Sequence, residues 1–232
     1  MRKALLILAC LAVSVTALAK ESDQAKQLKK ANAVINEIMR TPDKGIPTDL
    51  LEKAVCVGVV PAHLTFALGI GGSYGRGVLV CRRHGNGAWG APSLFTMGGG
   101  SFGFQIGGKS TDVVFLVMNS GGIRKLLQSK VTLGADASVA GGPVGRTAAA
   151  ATDVQMHAQI LSYSRSRGLF GGVALKGAVM KQDNDSNQKL YGENLSAQEI
   201  LINGKVAIPA AARLLDRTLT KYSPHGGAPF TP

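Results

Sequence analysis

Glycine sets the first constraint on this chain. Most of its 30 glycines fall between Gly58 and Gly177, interleaved with Val, Leu, Ile, Phe and Ala rather than with polar linker residues. Glycine weakens helix interiors and tolerates φ > 0, so this mixture suits many short strands joined by tight turns. The middle therefore reads as mainly β: VCVGVVP, HLTFALGIGGSYG and GRGVLVCRR, an HGNG turn into AWGAPSLFTMGGG, then SFGFQIGG and TDVVFLVMN. SGGIRKLL (120–127) suits one short helix, and KVTLGADASVAGGPVG resumes the strand pattern. RTAAAATDVQMHA stays unassigned, and ILSYSRSR-GLFGG-VALKGAVM reads as a hairpin with a five-residue Gly-rich connection.

The flanks are helical. Residues 21–40 place Ala25, Leu28, Ala31, Ile35 and Ile38 on one side and Lys26, Lys29 and Lys30 on the other, the pattern of an amphipathic helix covering a sheet. TPDKGIPTD breaks it, and LLEKAV forms a second short helix. QDNDSNQ reads as a polar turn, Ser196 and Glu199 as a capping box, and Pro209 as the opening of a last helix carrying Ala212, Leu215 and Leu219. No fixed repeat or linker divides the chain, so residues 20–222 form a single domain and 223–232 a flexible tail. The expected fold is α+β: a curled antiparallel β-sheet or sandwich of Gly-rich strands covered by N- and C-terminal helices.

Residues 1–19 have a basic start (Arg2, Lys3), an apolar run and Ala17-Leu18-Ala19, the layout of a cleaved signal peptide. Lipoprotein processing at Cys10 is the competing reading, and would tether the exported, periplasmic protein to a membrane. A net charge of +12, which becomes +10 when Arg2 and Lys3 leave with the signal peptide, draws such a domain to anionic surfaces; in a bacterial envelope these are phospholipid headgroups, and nucleic acid is not an expected partner. Cys56 and Cys81 suit either a disulfide or two buried thiols.

Several short motifs imitate chemistry. GFQIGGKS (103–110) matches the phosphate-loop letters, but the β-branched TDVVFLV follows where a helix N-terminus is needed. Ser73 and Ser101 sit in G-x-S-x-G, which is cheap in so Gly-rich a chain; a serine hydrolase is a less favoured reading. Asp183-x-Asp185-x-Asn187 starts like a calcium loop but has Gln188 and Asn194 where Gly and Glu belong. The four histidines lack metal spacing. No catalytic residue, metal or cofactor is expected.

GIGGSYGRGVLV, WGAPSLFTMGGGSFGFQIGGKSTDVV, LGADASVAGGPVGR and SYSRSRGLFGGVALKG, in this order, resemble the SYLF domain family from about Leu50 to Gly192. The resemblance implies lipid binding. Eukaryotic members are phosphoinositide-binding domains and fungal ones bind actin in endocytosis; for an exported bacterial member, recognition of anionic lipid is the property that transfers. The family's SRSRGLF stretch falls on Ser164 to Phe170, while Gly171 and Lys176 stand where Ala and Glu are frequent in relatives.

The hairpin's alternation supplies a mechanism. In an extended strand Tyr163, Arg165 and Arg167 share one side, and Ser162, Ser164 and Ser166 the other. On one geometry Arg165 and Arg167, with Arg146, hold phosphate through planar, two-pronged guanidinium donors beside Tyr163, and the Lys176 ammonium adds a point charge. Leu169 and Phe170 then dip into the acyl boundary, and Lys26, Lys29 and Lys30 add diffuse attraction. On the other geometry the arginines pair with Asp112, Asp136 or Asp153, and Leu169 and Phe170 pack inward. The expected function is non-enzymatic binding of anionic phospholipid at the cell envelope; the alternative is a module that binds an envelope protein.

Overall fold

The computed structural model describes residues 21–40, 45–145, 155, 157–166, 169–173 and 175–224, and for 67–70 and 101–107 the backbone alone. Residues 1–20 with Cys10, Arg146, Arg167, Asp153 and residues 225–232 lie outside these residues. The elements, in chain order, are α1 (Asp23–Met39), α2 (Thr48–Lys53), β1 (Cys56–Cys81), β2 (Ser93–Val117), α3 (Ser120–Leu126), β3 (Lys130–Thr132), β4 (Val139–Gly141), β5 (Ile160–Ser166), β6 (Leu169–Gly172), β7 (Val179–Gln182), α4 (Asn184–Tyr191), α5 (Ala197–Leu201) and α6 (Arg213–Tyr222).

Where the glycine pattern suggests a series of short strands between 56 and 117, there are two long ones. β1 and β2 pair antiparallel from Cys56 opposite Val117 to Leu79 opposite Ser93. Their glycines make room rather than turns. A Cβ on Gly58 would lie 2.0 Å from the Phe115 ring, and one on Gly77 2.2 Å from the Phe95 ring, and each glycine is the cross-strand partner of that phenylalanine.

Register shifts after Val60 and after Leu68 bend the ribbon. It doubles back so far that a Cβ on Gly75 would meet Val60 at 2.5 Å and His63 at 2.8 Å. Cys56 and Cys81, at opposite ends of β1, come within 4.0 Å (Cα–Cα) and form a disulfide. The curl thus decides between the two readings of these cysteines. With 25 residues of separation, the bridge stabilises the fold by about 3 kcal/mol in the chain-entropy view.

β2 carries β1 along one edge, and on its other edge β5 and β7; β3 joins β7, while β4 and β6 join β5. Every pair is antiparallel except β4 with β5. The fold is therefore α+β with a strongly curled sheet. One sheet face encloses Val60, Met97, Val113, Phe115, Val131 and Ile160, together with Ile123 of α3 and Leu201 of α5. The other face, including Val57, Val78, Leu94, Val114 and Leu116, packs under Leu28, Ala31 and Ile35 of α1 and Leu215 and Leu219 of α6. Burying each such aliphatic side chain contributes roughly 1.5–3 kcal/mol.

Local capping fixes the helices against this frame. Ser22 accepts from Ala25 N–H at the start of α1, and Ser196 and Glu199 form the capping box of α5. The Glu199 carboxyl is held down at about 2, chiefly by the Lys205 ammonium and then by Ser196. QDNDSNQ, read as a turn, instead leads into α4: Asp183 accepts from Ser186 N–H, and buried Asn187 accepts from Leu94 N–H at 2.7 Å. Those side chains are spent on a cap and on pinning β2. Among the described residues no group of His, Cys, Asp and Glu could hold a metal ion.

The body also reaches one residue into the expected tail. Ser223 is buried, its carbonyl accepting from Trp89 Nε1 at 3.1 Å and from Arg82 Nη2 at 3.0 Å.

Candidate functional site

The β5–β6 hairpin divides its side chains by parity. Arg165 lies opposite Asp112 and Tyr163 opposite Val114, while Ser164 lies opposite Val113 on the other face. β6 extends the hairpin with Leu169 opposite Ser166 and Phe170 opposite Arg165. The expected five-residue connection GLFGG does not form, because Leu169, Phe170, Gly171 and Gly172 pair within β6. Leu169 and Phe170 consequently sit on opposite faces.

The face toward α1 is closed. Tyr163 is fully buried, stacked on Phe170 with ring centroids 5.5 Å apart and planes 6° from parallel. Gly142 seats the ring, since a Cβ there would lie 2.1 Å from it. The tyrosine hydroxyl has no hydrogen-bond partner among the described residues, and burial, followed by the charge of Asp49, pushes its pKa up. Tyr163, expected beside a headgroup, is therefore a core residue whose ring supports Phe170.

Arg165 faces acid. Its Nη2 and Nε donate to Asp112 Oδ2 at 2.6 and 3.2 Å, and its Nη1 to Glu37 of α1. Burial opposes the charge, but the hydrogen bonds and attraction of Asp112 and Glu37 outweigh it and raise the arginine's pKa. The other oxygen of Asp112 accepts from Ala62 N–H at 2.9 Å, and Ala62 is the residue at φ 50° in the first register shift of β1. One carboxylate thus joins the bulge, the hairpin and, through Arg165, the helix. With Asp112 and Glu37 in place, Arg165 acts as a strut.

The other face is open. A groove of 550 Å³ is lined by Gly108, Lys109, Ser164, Ser166, Leu169, Phe170 and Gly171. Lys109 shares its sheet face with Ser164 and Ser166 because Asp112, three residues on, pairs with Arg165. Neither its ammonium nor the two serine hydroxyls has a hydrogen bond or ion pair among the described residues. Leu169, 79% exposed and the strand partner of Ser166, stands beside them. One cation, two hydroxyls and an apolar rim therefore converge without internal partners.

Of the residues the sequence pointed to, the groove collects only Leu169 and Phe170. Lys26 pairs with Asp23 at 3.1 Å and Lys29 with Glu21 at 2.7 Å; Lys30 is exposed on the same helix end. Glu37, which meets Arg165, is eight residues along α1 from Lys29, about 12 Å away. Lys176 is exposed and lies against Gly134, apart from the groove lining. Arg146 and Arg167 fall outside the described residues.

Lys109, Ser164 and Ser166 were not singled out as a site by the sequence. The signal for Lys109 was the phosphate-loop look-alike: its letters lie wholly within β2, with no helix after them, yet its lysine and the hairpin serines share one groove. Ser73 and Ser101 lie within β1 and β2 and pair with Gly99 and Gly71, so neither stands on a strand-to-helix elbow.

Residues 98–222, more than half of the chain, match the Ysc84 family, described as Las17-binding protein actin regulator. The chain belongs to this Ysc84/SYLF domain family. It is 33% identical over 195 residues to LAS seventeen-binding protein 3 of Saccharomyces cerevisiae, covering 80% of this chain and 41% of the relative. It is 33% identical over 204 residues to Protein YSC84 of the same yeast, covering 83% and 42%. With SH3 domain-containing YSC84-like protein 1 of Homo sapiens it shares 31% identity over 219 residues, covering 88% and 62%. The chain thus spans about two fifths of the length of these yeast relatives.

Proposed function

We propose that this chain is a non-enzymatic binding domain that docks on anionic phospholipid, and that it does so in the periplasm, at the surface of a bacterial membrane. The observation that carries the reading is the open face of the β5–β6 hairpin. Lys109 and the hydroxyls of Ser164 and Ser166 line one groove without internal partners, and Leu169 beside them is 79% exposed. Hydroxyls and an ammonium donate to phosphate oxygens, while a leucine at the rim gains by entering the acyl boundary. The net charge, +12 for the full chain and +10 without Arg2 and Lys3 of the leader, adds long-range attraction to such a surface. The location rests on the leader-like pattern of residues 1–19.

Sedimentation with vesicles tests this. The protein is expected to pellet with phosphatidylglycerol-containing vesicles at low salt, to stay in solution with pure phosphatidylcholine, and to dissociate as salt rises. Absence of binding to anionic vesicles at low salt sinks the reading.

A second reading is supported by the family's description, Las17-binding protein actin regulator, and by the name of one yeast relative, LAS seventeen-binding protein 3. On that reading the same exposed hairpin and ribbon dock a protein partner of the envelope, and binding would change little with salt. The salt dependence separates the two.

A further inference from the structure

β1, β2, β7 and β3 run side by side, and their register lines up one row across the sheet. Arg76 lies opposite Thr96, Thr96 opposite Lys181, and Lys181 opposite Lys130. Opposed residues project from the same sheet face. Here it is the face of Val78 and Leu94, the next side chains of that parity after Arg76 and before Thr96. Lys130 and Lys181 are both exposed, and neither has a hydrogen bond or ion pair among the described residues.

Two like charges directly opposite one another destabilise a sheet. A lysine on an outermost strand guards against edge pairing, which accounts for Lys130 on β3. β7 lies between β3 and β2, so Lys181 guards no edge. The repulsion is therefore kept for another reason, and an anion laid across the row would relieve it.

The row opens into a groove of 510 Å³ lined by Tyr74, Arg76, Thr96, Lys181 and the first two turns of α4 from Asp183 to Lys189. Arg76 is fixed in its wall, Nη2 donating to Asp183 Oδ2 at 3.3 Å and to Ser186 Oγ at 2.6 Å. Lys189 is exposed and has no ion pair among the described residues. Row and groove together thus hold the cations Arg76, Lys130, Lys181 and Lys189 against the carboxylates Asp183 and Asp185, and Asp183 is already bound to Arg76. No aliphatic side chain is in the lining, and Tyr74, 55% exposed, supplies its aromatic surface.

We propose that this row docks an acidic, extended segment of a protein partner. From Arg76 to Lys130 the row crosses three strand spacings, about 14 Å, and alternate side chains of an extended chain recur every ~7 Å, so three alternating acids match its length. Exposed tyrosine and arginine are the side chains enriched at protein interfaces. The hairpin groove has Leu169 to enter an acyl layer; this groove has no aliphatic group, and its two carboxylates repel a broad anionic surface while a narrow chain can follow the cations. The two grooves share no residue, so the row stands whichever reading of the hairpin holds.

Anisotropy of a labelled peptide of alternating glutamate and serine is followed with the intact protein at low salt. Saturable binding is expected, and the same peptide with glutamine for glutamate should bind at least tenfold more weakly. Lys181→Glu and Lys130→Glu should each weaken the acidic peptide roughly fivefold or more. Each sets a glutamate opposite a lysine, so the melting temperature should hold or rise, which separates lost binding from lost fold. Lys109→Glu, in the hairpin groove, should leave the peptide unaffected, and Lys181→Glu should leave binding to phosphatidylglycerol vesicles unaffected. No saturable binding of the acidic peptide, or full binding by the folded Lys130→Glu, Lys181→Glu double variant, overturns the proposal. So does an equal loss in Lys109→Glu, which would mark attraction by net charge, or a loss of vesicle binding in Lys181→Glu, which would make the row part of a membrane surface.

Discussion

The two faces of the β5–β6 hairpin differ in one respect that matters: among the described residues, the charge on one has partners and the charge on the other has none. Toward α1, Arg165 is bound by Asp112 and Glu37, and Phe170 covers the buried Tyr163 ring. Away from it, Lys109, Ser164 and Ser166 face a groove beside exposed Leu169. The residues alternate along the same strands, so composition is shared and only neighbours differ. The lesson is that the more conspicuous charge, arginine in a strand, is the structural one.

The contrast breaks most visibly at Tyr163. Truncation to Ala removes a fully buried ring that carries Phe170, and is expected to cost about 3–5 kcal/mol in urea unfolding. A loss below about 1 kcal/mol would mean that this face is not a core. Asp112→Ala comes next. It removes two guanidinium bonds and the acceptor for Ala62 N–H, and leaves Arg165 with only the half-exposed Glu37; about 2–3 kcal/mol is expected, seen as a lower urea midpoint.

On the open face the effect should move from stability to binding. Lys109→Glu and Leu169→Glu are each expected to weaken binding to phosphatidylglycerol vesicles at least tenfold while changing stability by about 0.5 kcal/mol or less. Equal losses from open-face and closed-face variants, after correction for the unfolded fraction, would erase the distinction.

A smaller effect concerns His63, which shares its sheet face with Lys109 and lies against Gly75 across the fold of the ribbon. It is buried, its Nε2 has no hydrogen-bond partner among the described residues, and burial lowers its pKa. The unfolded chain therefore takes up this proton first. Stability from the neutral imidazole is complete above about pH 6.5 and is lost as pH falls through the lower folded value, so the melting temperature should drop between pH 7 and 5. His63→Leu should flatten that slope; an unchanged slope assigns it to other groups.

The smallest effect separates the Tyr163 ring from its hydroxyl. Tyr163→Phe removes a buried hydroxyl without a partner and should leave stability within about 0.5 kcal/mol of the parent or slightly above it. A loss above 1 kcal/mol would reveal a bond from that hydroxyl.

Much of the fold was legible because it rests on local rules. Helical spacing in residues 21–40, the Ser196 and Glu199 box and the alternation of serine with arginine all depend on residues three, four or two apart. What was misread depends on distant partners. Gly58 and Gly77 look like turn residues until Phe115 and Phe95 are placed opposite them, and QDNDSNQ looks like a solvated turn until Asn187 is found bound to β2. Leu169 and Phe170 look like a loop until they are paired with Ser166 and Arg165.

The sequence by itself determined the element types at both ends, the family, and the parity that puts Tyr163 with Arg165 and Ser164 with Ser166. Only the tertiary structure decided which of those faces is closed. Parity is a property of one strand, whereas closure requires Asp112 from β2 and Glu37 from α1 to arrive at the same guanidinium, and the curl of β1 to bring Cys56 to Cys81. Such meetings are set by sheet curvature and helix packing, which no window of neighbouring residues contains.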